Sequence, residues 1–118
     1  MAAGRVPRII VYWKNATGNE EVRQFIDALA PPATRKCDQY IEVLRTLPFV
    51  PSMYMKHIED DLYELRPELG GNEYRLLFGM RRNIVVFVHA FMKKRGKLDP
   101  TDITTAQRRF DEWKGANP

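Results

Sequence analysis

Tyr74-Arg75-Leu76-Leu77-Phe78 and Ile84-Val85-Val86-Phe87-Val88 lie five residues apart, with Arg82-Asn83 between them. Two apolar runs joined by such a pair predict strands over roughly 73–80 and 83–92, closed by a tight hairpin turn. In the first run Arg75 and Leu77 share one face, and Tyr74, Leu76 and Phe78 take the other. The second is apolar on both faces, which marks the central, most buried strand of a sheet. Working back, Leu62-Tyr63-Glu64-Leu65-Arg66 predicts a third strand over 62–67, with Glu64 and Arg66 opposite Tyr63 and Leu65. Working forward, Phe91-Met92-Lys93-Lys94 ends the last strand in two cations. Arg66, Arg75 and Lys93/Lys94 therefore stand at the ends or edges of three successive strands. A sheet that aims them at one region makes a phosphate site.

The rest of the chain fits around this sheet. Ile9-Ile10-Val11-Tyr12-Trp13 reads as a first strand and Asn15 to Asn19 as a turn. Thr17 or Asn19 is expected to cap a helix whose apolar stripe is Val22, Phe25, Ile26 and Leu29. Pro31-Pro32 ends it, and a second helix over Ala33 to Thr46 carries Cys37, Tyr40, Ile41 and Leu44. Pro48 to Asp61 reads as an irregular connection holding Lys56 and His57. Asp99-Pro100 opens a last helix with Ile103, Ala106, Phe110 and Trp113 inward. Residues 1–8 and 115–118 read as loose ends. The order β-α-α-β-β-β-α predicts an α+β fold. It has a curved antiparallel four-stranded sheet, two N-terminal helices packed on one face and a C-terminal helix.

A chain of 118 residues, 44% hydrophobic, matches one domain with one core. It has no apolar run of membrane-spanning length and no signal-like segment. Cys37 is the single cysteine, so no disulfide forms within the chain, and a reduced, cytoplasmic setting is expected. Charge is uneven. Residues 75–118 hold ten Lys/Arg against four acids, whereas residues 1–74 hold nine against eleven. The basic half is where a polyanion would bind, with Arg81, Arg82, Arg95 and Lys97 from it, and Lys56 from outside it, as expected RNA contacts; the plain alternative is a solvated basic face.

No His/Cys/Asp/Glu spacing resembles a metal-ligand set, no glycine loop fits phosphate, and no serine or cysteine has nucleophile context. No metal or cofactor is expected. RNA can be cut through its own 2′-hydroxyl if three tasks are met. A proton must leave that hydroxyl, the phosphorane must be stabilised, and the leaving 5′-oxygen must be protonated. Arg and Lys serve the second. For proton transfer the chain offers His57, His89 and Glu64. His89 also reads as a core histidine and Glu64 as an ion-pair partner of Arg66 or Arg75.

Lys56-His57-Ile58-Glu59-Asp60-Asp61-Leu62-Tyr63-Glu64-Leu65-Arg66, then Tyr74-Arg75, then His89-Ala90-Phe91-Met92-Lys93-Lys94 resembles the phage-derived, HigB-like branch of the RelE/ParE toxin superfamily, over about residues 9–113. The resemblance implies the toxin of a bacterial type II toxin–antitoxin module. Such proteins cut mRNA on the ribosome without metal. Carried over, the implied catalytic residues are Arg75, Lys93, Lys94, Arg66 and His57. The implied partners are a helix-turn-helix antitoxin, the ribosome and mRNA, with no membrane. The chain departs from the family at Asp61, where glycine is common, and lacks a counterpart of the catalytic Tyr or His near the C-terminus of some members. Within the superfamily a ParE-like inhibitor of DNA gyrase is the alternative, and a prophage remnant that binds RNA or antitoxin without catalysis is a third reading. Neutralising Arg75 is expected to abolish cleavage and leave the fold intact.

Overall fold

The computed structural model describes residues 7–93 and 96–118. Lys94, Arg95 and most of the expected N-terminal tail lie outside the described residues. In chain order the elements are β1 (Ile9–Tyr12), α1 (Glu21–Asp27), α2 (Pro31–Thr46), β2 (Met55–Glu59), β3 (Leu62–Leu65), β4 (Glu68–Leu69), β5 (Asn72–Arg81), β6 (Ile84–Lys93) and α3 (Pro100–Ala116). The strands form one sheet in the order β1-β6-β5-β3-β2, with β4 pairing separately to β5. The α+β class and the β-α-α-β…β-α order follow the expectation.

Several details differ from it. The sheet is mixed, because β1 runs parallel to β6 after the α1–α2 crossover while the other pairs are antiparallel. It has six strands, two more than expected. Met55–Glu59 is a strand at the sheet edge and not part of an irregular connection. Its polar sequence hid it: only Met55 and Ile58 are half-buried, and a bulge at Ile58 breaks the alternation. α2 begins at Pro31, two residues early, with proline in the first turn where a missing N–H costs nothing. α1 has Glu20 at its cap position with no side-chain cap bond. Thr17 and Asn19 do not cap it; their backbone N–H groups both donate to Asn15 Oδ1 at 3.0 Å, closing the preceding turn. Gly115 and Ala116, expected to fray, complete α3.

Strand parity divides the core in two. Leu65, Tyr74, Leu76, Phe78, Val85 and Phe87 pack with α1 and α2 through Val22, Ile26, Cys37 and Leu44. On the other face Leu62, Leu77, Val86 and Val88 pack with Ala106 and Phe110 of α3. The hairpin turn at Arg82-Asn83 is present, with Arg82 at φ 56°. The register of β5 on β6 then slips: Phe78 pairs with Phe87 but Leu77 with His89, which leaves Val88 as the extra residue of a bulge. That one residue reverses the parity of the rest of β6. His89, Phe91 and Lys93 now point to the α3 side, opposite Leu77, Arg75 and Glu73.

Cys37 is fully buried, and burial pushes its thiol up to about 11. At about pH 8 only about one molecule in a thousand carries the reactive thiolate. The thiol is therefore expected to ignore a disulfide reagent such as dithionitrobenzoate in the native protein and to react only as urea unfolds it. Rapid labelling without denaturant would contradict this burial.

Candidate functional site

On the α3 side of the sheet, a cavity of about 590 Å³ opens between β2, β3, β5 and the residues leading into α3. Lys56, Arg66 and Lys97 supply cationic walls, Ile58, Leu98 and Ile103 an apolar lining, and Glu64 and Arg75 line it as well. The β2–β3 register sets Lys56 directly across from Glu64, and the β3–β5 register sets Glu64 opposite Leu77, one strand position pair from Arg75.

Arg75 is the centre of the arrangement. Its side chain is 2% exposed, as is that of Glu64. The guanidinium forks onto Glu64, with Nε donating to Oε2 at 3.1 Å and Nη2 to Oε1 at 3.2 Å. Nη1 donates to the Gly96 carbonyl at 3.2 Å and to Glu73 Oε1 at 3.4 Å. Four hydrogen bonds from this planar guanidinium go to two carboxylates and one carbonyl. So Arg75 is first the clamp that neutralises two buried acids, not a free phosphate ligand. That burial and pairing argue against the expectation that its removal spares the fold. Period-two spacing puts Glu73 beside Arg75 on the same face of β5, a signal the sequence carries but that was not read from it.

Lys93 lies across the ladder from Glu73; its Nζ donates to the Lys97 carbonyl and stands 3.6 Å from Asp99 Oδ1. It thereby ties the end of β6 to the segment that carries Lys97 and Leu98 to the cavity. Asp99 takes the cap position of α3, but its side chain makes no cap bond.

Among the described residues Lys56, Arg66 and Lys97 make no ion pair; the carboxylates at the site are taken by Arg75 and Lys93. These three are the uncompensated charges at the cavity. Lys94 and Arg95 lie outside the described residues. Arg81 and Arg82 belong elsewhere. They sit at the hairpin end, six residues along β5 from Arg75 or about 20 Å away, and Arg81 Nη1 donates to the Asn117 carbonyl.

His57 borders the cavity, yet the register pairs it with Tyr63, whose ring packs on the α1–α2 side. The imidazole tilts against Tyr63 at 5.0 Å, and Nε2 lies 2.7 Å from the Asp60 carbonyl. A carbonyl only accepts, so Nε2 carries a hydrogen and donates it. His57 thus lines the same cavity as Glu64 and Arg75 while its ring rests on Tyr63. Asp60, beside the unusual Asp61, makes that hairpin turn at φ 46°, which aspartate tolerates better than most side chains. His89 is on the α3 face, where Nε2 meets Asp102 Oδ1 at 2.8 Å and joins β6 to the first turn of α3. Among the described residues no group of three His, Cys, Asp or Glu side chains is placed to hold a metal ion, and no helix is long and apolar enough to cross a membrane.

The cavity can thus bind a phosphate on free cations and presents a carboxylate held in register by a buried arginine. A search of curated proteins returns no match. The family model "Phage derived protein Gp49-like (DUF891)" matches residues 24–111, which takes in the second half of α1, all of α2, every strand but the first, and most of α3. On that match the chain belongs to the Gp49-like phage-derived family, a HigB-like member of the RelE/ParE toxin superfamily.

Proposed function

We propose that this protein is the toxin of a type II toxin–antitoxin module and acts as a metal-independent endoribonuclease on mRNA engaged by the ribosome. The observation that carries the reading is the convergence of Lys56, Arg66 and Lys97 on one cavity beside the Glu64–Arg75 pair. In the reaction, the 2′-oxygen of the nucleotide attacks the adjoining phosphorus while its proton passes to Glu64. The P–O5′ bond breaks, and a lysine ammonium, Lys56 or Lys97, protonates the departing 5′-oxygen. The products are a 2′,3′-cyclic phosphate and a free 5′-hydroxyl. Arg66 neutralises the charge that builds on the phosphorane oxygens. Arg75 holds the Glu64 carboxyl in place through its two-pronged hydrogen bond. The basic residues from position 75 on suit ribosomal RNA as a platform, since phosphate neutralisation supplies much of RNA affinity.

Arg66→Ala and Lys56→Ala are each expected to lower cleavage by about 10- to 100-fold, the worth of one charge-assisted hydrogen bond. Stability should stay within about 0.5 kcal/mol, because neither side chain is buried in an ion pair. Primer extension on a translated mRNA, together with growth after induced expression, reads both. Full toxicity of the double variant, or a DNA-damage response in place of transcript loss, would overturn the proposal and favour gyrase as target.

A further inference from the structure

β1 is the last strand at one end of the sheet, and among the described residues no strand pairs with its outer side. Its run Ile9-Ile10-Val11-Tyr12-Trp13 is β-branched and aromatic, with no proline, bulge or charge to deter another strand. The opposite edge is guarded: β2 carries Lys56 and the bulge at Ile58, with Asp60 and Asp61 behind it. Backbone parity shows which groups β1 leaves open. The Ile9 and Trp13 N–H groups donate to the Asn83 and Phe87 carbonyls at 2.8 and 2.9 Å, so these residues, with Val11 between them, face β6. Ile10, Tyr12 and Lys14 turn their N–H and C=O groups the other way, to the open side. The open window is short. The Arg8 N–H donates to the Arg45 carbonyl at 2.8 Å, so the end of α2 closes the outer side there. At the other end the Asn15 N–H donates to the Asn19 carbonyl at 3.0 Å, on the β6 side, and the chain turns away.

This window fits a copy of itself. An antiparallel second copy on a two-fold axis through Tyr12 sets Tyr12 against Tyr12, and Ile10 against Lys14 in both directions. Residues facing each other in this way exchange both hydrogen bonds, so every open group from Ile10 to Lys14 gains a partner. Arg8 then lies across from Ala16 of the second copy, where that chain has already turned toward its own β6. The α2 end of each copy thus takes the space that the other's turn leaves. An axis moved to Val11 would set Lys14 against Arg8, cation on cation and into the α2 end. A foreign strand running past the window meets the same obstruction at Arg8. Apolar contact supports the ladder. On the α3 face a hollow of about 420 Å³ lies against β1, with Val11, Trp13, Trp113 and Ala116 in its lining. The axis at Tyr12 brings Val11 across from Trp13 of the second copy beside this hollow, as a non-hydrogen-bonded pair whose side chains approach closely. Ile9, on the same face, is 51% exposed in the single chain.

We propose that β1 pairs antiparallel with β1 of a second copy of this chain, joining two sheets into one across a two-fold axis at Tyr12. The inference does not depend on the nuclease reading. Sedimentation of the full chain from about 1 μM to about 1 mM is expected to show a reversible monomer–dimer equilibrium. Lys14→Pro removes only an outward N–H from an exposed residue, so the fold should stand. The dimer should weaken by at least about tenfold, because each copy loses a ladder bond. Lys14→Ala keeps the N–H and should dimerise like wild type. Unchanged circular dichroism and melting will show that both variants are folded. Amide exchange followed by NMR gives a second reading that needs no variant. Ile10, Tyr12 and Lys14 should exchange quickly in dilute protein and at least about tenfold more slowly in concentrated protein, while Val11 and Trp13 stay protected in both. A monomer at every concentration would overturn the proposal. So would a dimer that folded Lys14→Pro retains in full. Protection of the three amides already in the dilute monomer would mean that the chain covers its own edge, and would overturn it too. Uptake of an added Thr-Val-Thr-Val-Thr peptide by a protein that stays monomeric would assign the edge to a foreign strand, with the same consequence.

Discussion

Arg75→Ala is expected to destabilise the protein by about 3–5 kcal/mol, the cost of leaving buried carboxylates without their counter-charge. Glu64 and Glu73 are 2% and 8% exposed, and both depend on this guanidinium. Urea or thermal unfolding would read the loss directly. Loss of cleavage in this variant alone therefore says nothing about chemistry. Arg75→Met combined with Glu64→Leu removes that pair and fills its space with apolar groups, and it should recover part of the stability, short of the share that Glu73 loses with its counter-charge. That double variant is expected to fold and to be inactive. Glu64→Gln keeps the shape and should lower cleavage by about 10²- to 10⁴-fold, the usual worth of a positioned proton acceptor. Arg75→Lys keeps the charge but not the fork, so it should fall between wild type and alanine in stability. If Arg75→Ala unfolds at the same urea concentration as wild type, the buried clamp is wrong. If the folded double variant still cuts mRNA, Glu64 is not the proton acceptor.

The second large effect lies under α3. Gly79 sits in β5 with the Phe110 ring directly over it, so that an added Cβ would fall inside the ring's van der Waals envelope. Phe110 is fully buried and has no room to retreat. Gly79→Ala is expected to cost about 1–3 kcal/mol by overpacking, and Phe110→Ala about 3–5 kcal/mol through the cavity it leaves. Phe110→Leu in the Gly79→Ala background should recover part of the loss, so the two changes will not be additive. Melting temperatures of the four proteins give the coupling. Strict additivity would mean that α3 does not seat on Gly79. The effect should reach function as well, because α3 and the residues before it carry Ile103 and Leu98 to the cavity.

Much of the architecture was legible because it rests on local rules. Val85 to Val88 announced a buried strand through apolarity on both faces, Arg82-Asn83 announced the turn, and the 3.6-residue stripes of α2 and α3 placed Cys37, Leu44, Ala106 and Phe110 inside. Met55–Glu59 was not legible, since an edge strand that buries two half-covered side chains has almost no hydrophobic period. The candidate site was legible as residue types more than as an arrangement. Lys56, His57, Arg66, Arg75 and Glu64 do line one cavity, with the His57 ring packed on Tyr63, whereas Arg81 and Arg82 stand at the hairpin end of β5.

The sequence by itself determined which residues are core, the order of elements and where positive charge collects, because periodicity and composition act over a few neighbouring residues. Tertiary structure alone decided which charges are free. The bulge at Val88 reverses strand parity and brings Lys93 to the Arg75 side of the sheet. Burial then couples Arg75 to Glu64 and Glu73, since a charged group taken out of water is costly unless it is paired. Lys56, Arg66 and Lys97 are left uncompensated around a carboxylate. That distinction between a spent cation and an available one depends on distances between residues far apart in the chain, which no local pattern records.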